Sequence, residues 1–211
     1  MTTVKMAIPR DFILGAAASA WQTEGWSGKK AGQDSWPDLW YKNDRRVWHN
    51  GYGPAVATDF INRFREDVQL MKLAGLTHYR TSINWSRFLT DYENVTVDED
   101  YAAYYDQLFD ELLANGIEPM ICLEHYELPG YLLEQYGGWA SKKVVELFVQ
   151  YAEKVFARYH HKVTRWFTFN EPIVVQTRVY LDALRWPYEQ NTGTWMQWNH
   201  HKVLATAKVV R

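Results

Sequence analysis

Four short apolar segments, at residues 12–18, 78–83, 118–123 and 164–170, alternate with long stretches of helical periodicity. This alternation constrains the fold more than any other feature of the chain. Residues 58–74 place Phe60, Phe64, Val68 and Met71 on one helical face and stop at Gly75, a residue suited to the left-handed turn that ends helices. Residues 101–114 repeat the scheme with Tyr105, Leu108 and Leu112 and stop at Asn115-Gly116. Residues 141–159 open on Ser141, a good N-cap, and carry Val145, Phe148, Ala152 and Phe156. A fourth helical pattern covers 198–211. Strands alternating with helices, and joined to them by short helix-to-strand links, imply a parallel sheet wrapped by helices. The strand-to-helix segments 26–57 and 173–197 are long, and read as loops. Loops of that size normally carry function. No linker or low-complexity run divides the chain, so residues 1–211 read as one unit with no second domain.

Composition removes several classes. Lys+Arg number 23 against Asp+Glu 25, giving a net charge of −2, with no basic block. Nucleic acid and anionic membranes therefore have no electrostatic footprint to meet. No apolar run approaches the roughly 18 residues of a membrane helix. Cys122 is alone, so no intrachain disulfide can form and nothing points to an oxidising compartment, which leaves a cytoplasmic location as the expectation. The run 12–20 loosely imitates a signal peptide, but Asp11 abuts it and its strongly apolar part is only Phe12-Ile13-Leu14, so it reads instead as a first buried strand. The unusual quantity is aromatic content, with 11 Trp, 14 Tyr and 9 Phe. Many of these rings, among them Trp36, Trp40, Trp48, Trp85, Tyr126 and Trp139, sit in polar, Gly-rich stretches that suit sugar faces.

The polar residues gather at one end of each unit: Gln22 and Glu24 after the first strand, Trp85 and Arg87 after the second, His125 after the third, Asn170-Glu171 at the end of the fourth. Carboxyl ends of parallel strands are where barrels and doubly wound sheets build their sites. Metal chemistry finds no support: there is no His-Glu-x-x-His, and His160-His161 and His200-His201 are adjacent pairs that diverge on a helix. No phosphate-cradling glycine loop and no Gly-x-Ser-x-Gly elbow occurs, and Cys122 reads as a small core residue.

Six blocks then appear in a recognisable order. They are Phe12-Ile-Leu-Gly-Ala-Ala-Ala-Ser-Ala-Trp-Gln-Thr-Glu-Gly25, Arg65-Glu-Asp-Val-Gln-Leu-Met71, Tyr79-Arg-Thr-Ser-Ile-Asn-Trp85, Glu124-His-Tyr-Glu-Leu-Pro129, Tyr136-Gly-Gly-Trp139 and Thr168-Phe-Asn-Glu-Pro172. Together they resemble glycoside hydrolase family one, the β-glucosidases and 6-phospho-β-glucosidases. The resemblance implies an α/β fold that is half of a TIM (β/α)8 barrel, about four β/α units with long βα loops. It also implies a retaining glycosidase with no cofactor and no metal. Glu171 is the carboxylate to choose on local grounds too, since it ends a strand, follows a carboxamide and precedes Pro172, which should hold it extended. By resemblance Glu171 protonates the leaving oxygen and later deprotonates water. Asn170 resembles the group that bonds the sugar 2-hydroxyl, and Gln22 and His125 those that bond outer hydroxyls. Arg80 resembles the arginine that keeps the nucleophile ionised, and Trp85 a site wall. Plainer readings stand beside these: a loop-capping amide for Gln22, a backbone-bonded core histidine for His125, an ion pair between strands for Arg80.

Two departures matter. Many members read Tyr-His-Trp-Asp where this chain has Glu124-His-Tyr-Glu127, so Tyr126 stands in place of a site tryptophan. That change, with the block Gln176-Thr-Arg-Val-Tyr-Leu-Asp-Ala-Leu-Arg-Trp186, resembles the 6-phospho-β-glucosidases more closely. The family's Glu-Asn-Gly nucleophile block has no counterpart in these 211 residues. Glu124 should not replace it, because strand alternation turns it away from His125. The expected function is thus a retaining β-glycosidase for β-glucosides or 6-phospho-β-glucosides, with this chain supplying the acid/base half. The alternative is a catalytically incomplete half-barrel that binds sugar or serves assembly. Either way, self-association or pairing with a C-terminal half is expected.

Overall fold

The computed structural model describes Pro9 and residues 12–211. Four strands, β1 (Gly15–Ala17), β2 (His78–Ser82), β5 (Glu118–Glu124) and β6 (Arg165–Phe169), form one parallel sheet in the order β1-β2-β5-β6. A small antiparallel ribbon, β3 (Leu89–Asp91) with β4 (Thr96–Val97), hangs off the β2 end. The helices are α1 (Ala20–Thr23), α2 (Trp36–Asn43), α3 (Phe60–Leu73), α4 (Trp85–Phe88), α5 (Glu99–Ala114), α6 (Gly130–Tyr136), α7 (Lys142–Tyr159), α8 (Val174–Tyr180) and α9 (Thr192–Val209). Helices α3, α5, α7 and α9 each follow one sheet strand, so the four β/α units are all present.

Helix ends follow local chemistry. After α3, the Gly75 N–H bonds the Lys72 carbonyl and the Leu76 N–H bonds that of Met71, with Gly75 at φ +76°. After α5, Gly116 and Ile117 make the same pair of bonds to Leu113 and Leu112, with Gly116 at φ +73°. Both are left-handed terminations that satisfy orphan carbonyls and send the chain straight into a strand. Ser141 accepts from the Lys143 N–H at 3.2 Å and caps α7 as its sequence suggests. The anticipated inward faces are buried: Phe60, Phe64 and Val68 on α3, Tyr105, Leu108 and Leu112 on α5, Val145, Phe148 and Ala152 on α7.

Three expectations need correction. The first strand is only three residues long, and Phe12, Ile13 and Leu14 are 56%, 39% and 45% exposed rather than buried. Among the described residues its one sheet neighbour is β2, so no strand pairs with its other edge. Segments 26–57 and 173–197 are not plain loops, since the first contains α2 and the second α8 and the start of α9. The α2 helix starts on a capping box between Ser35 and Asp38, with Pro37 in its first turn. That signal was present in the sequence, but the helix is too short for apolar periodicity to reveal it. Finally, Trp85 is no site wall. It is fully buried, 5.3 Å from Tyr151 in a stacked pair and 5.3 Å from Phe148, with Trp139 at 5.9 Å. The chain bends into α4 straight after β2, and that bend turns the indole back under the helices.

Candidate active site

The carboxyl ends of β1, β5 and β6 enclose a cavity of about 380 Å³ lined by Trp21, Gln22, Trp36, Trp40, His125, Tyr126, Asn170, Glu171 and Arg185. Gln22, His125, Tyr126, Asn170 and Glu171, five of the residues singled out from the sequence, therefore meet in one place. Gln22 leaves α1 with its Oε1 accepting from Ser19 Oγ at 2.7 Å. Arg80 lies just below, donating from Nη2 to Asn170 Oδ1 at 3.0 Å and stacking its guanidinium 5.3 Å from the Phe167 ring. That bond ties β2 to β6 across the sheet and fixes the rotamer of Asn170.

His125 is held from below by Glu127. The Glu127 carboxylate is fully buried and accepts from Ser82 Oγ at 2.5 Å, from the His125 N–H, and from the Trp21 N–H at 3.5 Å. Ser82 Oγ in turn accepts from the Ala20 N–H at 2.8 Å. One carboxyl thus clamps the ends of β1, β2 and β5, and burial pushes its pKa well above the usual carboxylate range. Burial, with Arg80 nearby, pushes the His125 imidazole down to about 4, so the ring is neutral near pH 7. Its Nδ1 is buried without a hydrogen-bond partner, while the residue as a whole lines the cavity.

Glu171 ends β6 and opens into the cavity. Its backbone corrects the expectation of an extended residue: φ is +42°, in the left-handed region. Pro172 does keep the preceding residue out of the right-handed helical basin, but the chain must also turn here, and the Val174 N–H closes the turn on the Glu171 carbonyl at 3.0 Å. Gln176, buried in α8, pins the corner by donating to the Pro172 carbonyl and to Asn199 Oδ1 of α9. Tyr126 also has positive φ, +75°, and its Oη donates to Glu171 Oε2. Two strained non-glycine residues facing each other are an ordinary sign of a site whose geometry the surrounding fold imposes. Burial first, and the bond to Glu171 second, push the Tyr126 phenol up, so it stays a proton donor at any ordinary pH.

Other candidates lie elsewhere. Glu124 accepts from Lys202 Nζ at 3.3 Å beneath the helices, facing away from the cavity as strand alternation demands. Glu24 and Arg87 form a buried pair at 3.7 Å, with Tyr105 Oη donating to Glu24 at 2.5 Å and Tyr101 Oη donating to its other oxygen. That cluster braces α1, α4 and α5 and does not face the cavity. Cys122 is buried mid-strand, and burial pushes its thiol up to about 12, so it is not nucleophilic. No group of three or more His, Cys, Asp or Glu side chains stands ready for a metal among the described residues.

Sequence reasoning missed Arg185 and the clamp Glu127, and only gestured at Trp36 and Trp40 through aromatic content. The indoles form a wall, with ring centroids 5.3 Å apart. Trp36 Nε1 donates to the Trp186 carbonyl, and Trp40 Nε1 to Tyr188 Oη. Those partners come from the segment after α8, so the wall is a long-range assembly that no local spacing records.

With this geometry in view, comparisons with known proteins agree. The family model described as Glycosyl hydrolase family 1 matches residues 4–211. Among curated relatives, the 6-phospho-beta-glucosidase GmuD of Bacillus subtilis (strain 168) is 33% identical over 99% of this chain and 44% of its own length. The cytosolic beta-glucosidase of Cavia porcellus is 37% identical over 81% of this chain and 36% of its own. Among solved structures, the psychrophilic beta-glucosidase BglU of Micrococcus antarcticus superposes with a TM-score of 0.89 at 35% identity, covering 97% of this chain and 43% of that one. The chain spans less than half the length of each of these.

Proposed function

Because the chain belongs to glycosyl hydrolase family 1, we propose that it carries the acid/base half of a retaining β-glycosidase site. The observation that supports this most is Glu171, strained and exposed at the strand end, in one cavity with Asn170, His125 and Gln22. In this reading Glu171 gives its proton to the leaving oxygen and then takes one from water. Asn170, its carboxamide oxygen already held by Arg80, offers its amide N–H to the sugar 2-hydroxyl, a contact that strengthens as the ring approaches an oxocarbenium ion. Neutral His125 and Gln22 bind the remaining hydroxyls, and Tyr126 orients the Glu171 carboxyl. Among the described residues Glu171 is the one carboxylate lining the cavity, whereas a retaining mechanism needs a pair about 5–5.5 Å apart. The nucleophile then comes from chain beyond these 211 residues, in the same polypeptide or in a partner.

The finer substrate assignment is a 6-phospho-β-glucoside, supported by the block ending at Trp186 and by the name of the Bacillus subtilis relative. A cytoplasmic location accords with that assignment and with the lone cysteine. The test is hydrolysis of p-nitrophenyl β-glucoside and its 6-phosphate. The chain alone should turn over neither at a useful rate. Adding a separately made C-terminal half of a family 1 barrel with its nucleophile should restore turnover, and Glu171→Gln should then remove about 10²–10⁴-fold of it. Robust turnover by the chain alone, lost in Glu171→Gln, would overturn the division of labour.

A further inference from the structure

Arg185 is a cation without a counter-ion. Arg46, Arg63, Arg87, Arg158 and Arg178 each face a carboxylate within 4 Å; among the described residues Arg45, Arg65, Arg80, Arg165, Arg185 and Arg211 do not, and of these unpaired arginines Arg185 is the one that lines the cavity. Its guanidinium instead lies 5.5 Å from the Trp40 ring, and it lines the cavity beside Tyr126 and Glu171. A guanidinium set against an indole keeps its N–H donors available to a ligand in the same cavity. Its backbone is anchored as well, the Arg185 N–H bonding the Arg178 carbonyl and the Tyr188 N–H bonding that of Arg185. A guanidinium so placed, partly buried and unpaired, is oriented for a planar or tetrahedral anion.

The neighbouring groups say which part of a substrate that anion belongs to. Gln22, His125 and Asn170 present amides and an imidazole, suited to hydroxyls. Arg185 beside Trp40, with Trp36 next to that ring, presents a cation against flat apolar surface, which suits an aromatic group with a negative substituent. We infer that Arg185 selects the leaving group, favouring β-glucosides whose aglycone is an aryl ring carrying an anionic group. This rests on the acid/base assignment of Glu171, because the aglycone that leaves the anomeric carbon with a proton from Glu171 is the group Arg185 then contacts.

The experiment measures binding to the 211-residue chain by calorimetry, with phenyl, 4-carbamoylphenyl and 4-carboxyphenyl β-glucoside and with phenyl β-glucoside 6-phosphate. The carboxylate should bind about tenfold more tightly than the neutral amide of the same shape. Arg185→Gln should remove that ratio, weakening the carboxylate far more than the phenyl glucoside, and Arg185→Lys should keep part of it. Circular dichroism checks that each variant is folded. Equal affinities for the carboxylate and the amide overturn the inference while leaving the site assignment intact. A loss in Arg185→Gln confined to the 6-phosphate would place the anion on the sugar and overturn it too. If no glucoside binds at all, the site reading falls, and the inference with it.

Discussion

Between β2 and β5 the sheet meets α5 and α7 through buried rings, whereas among the described residues β1 and β6 each have a sheet neighbour on one side only. In the middle, Trp85, Phe88, Tyr105, Phe109, Phe148 and Tyr151 are fully buried, and the charges among them, Glu24 and Arg87, are paired and hydrogen-bonded. At the flanks, Phe12 is 56% exposed, Phe167 40% and Val203 70%. The same residue types lie on both sides of the comparison, so hydrophobicity alone does not decide burial. What decides it is whether the sheet supplies a neighbour. The middle is a closed core, and the flanks leave apolar side chains open.

The largest effect that would test this contrast is in the middle. Trp85→Ala removes a fully buried indole that contacts Tyr151, Phe148 and Trp139. It should cost about 3–5 kcal/mol, a large part of a typical domain's stability. Phe167→Ala, a ring of comparable type at the β6 flank, should cost about 0.5 kcal/mol or less. Urea unfolding of the two variants gives the comparison directly. Similar losses at both positions would mean that Phe167 is covered in solution, and would dissolve the distinction between closed and open faces.

A smaller effect is expected where the two regions meet, at the cavity. Folding lowers the His125 pKa from about 6.5 to about 4. The folded state therefore holds the ring neutral where the unfolded chain would protonate it. The stability this confers is fully present above pH 6.5, is lost progressively as pH falls from 6.5 towards 4, and changes no further below 4. Its ceiling is about 3 kcal/mol, at 1.36 kcal/mol per unit. His125→Gln should be insensitive to this window, so the difference in urea midpoint between wild type and variant should narrow from pH 7 to pH 4.5. A constant difference would mean that the imidazole is protonated in the folded chain and that the unpaired Nδ1 is satisfied by solvent.

How much of this was legible follows the same division. Wherever an element repeats its own pattern the sequence sufficed: the α3, α5 and α7 faces, the Gly75 and Gly116 terminations, and the alternation of four parallel strands with helices. The cavity residues borne on strand ends, Gln22, His125, Asn170 and Glu171, were legible because a parallel sheet brings its carboxyl ends together whatever the loops do. Trp85 was misplaced because its position in the chain, just past a strand end, says nothing of the bend into α4 that carries it under the helices. Arg185 and the Trp36–Trp40 wall escaped because their partners lie far off in the chain, as the bond from Trp36 to the Trp186 carbonyl illustrates. Glu171 was found by its neighbours, yet its φ of +42° was not, since the turn closing on Val174 outweighs the extended preference that Pro172 imposes.

The smallest effect on folding should accompany the clearest effect on association. Along α9 and at its C-cap, Met196, Val203 and Val210 recur every seven residues and are 62%, 70% and 76% exposed, a stripe on the face opposite the buried Trp198 and Ala205. With Phe167 and the exposed residues 12–14, it gives the chain apolar surface on both flanks of the sheet. Such surface is costly in water, and unpaired strand edges add main-chain donors and acceptors without partners. Relief requires a second copy or a complementary half, and a two-fold dimer is the commonest closed arrangement. We therefore expect the 211-residue chain to self-associate at micromolar concentration. Val203→Lys together with Phe167→Ser should shift sedimentation equilibrium towards the 24.9 kDa monomer while moving the unfolding free energy by no more than about 0.5 kcal/mol. The two measurements have to be read together. Loss of association with unchanged stability locates the contact on the flanks. A wild-type chain that stays monomeric at high concentration would show that β1, β6 and α9 tolerate solvent as they stand, and that the contrast between middle and flank carries no driving force for assembly.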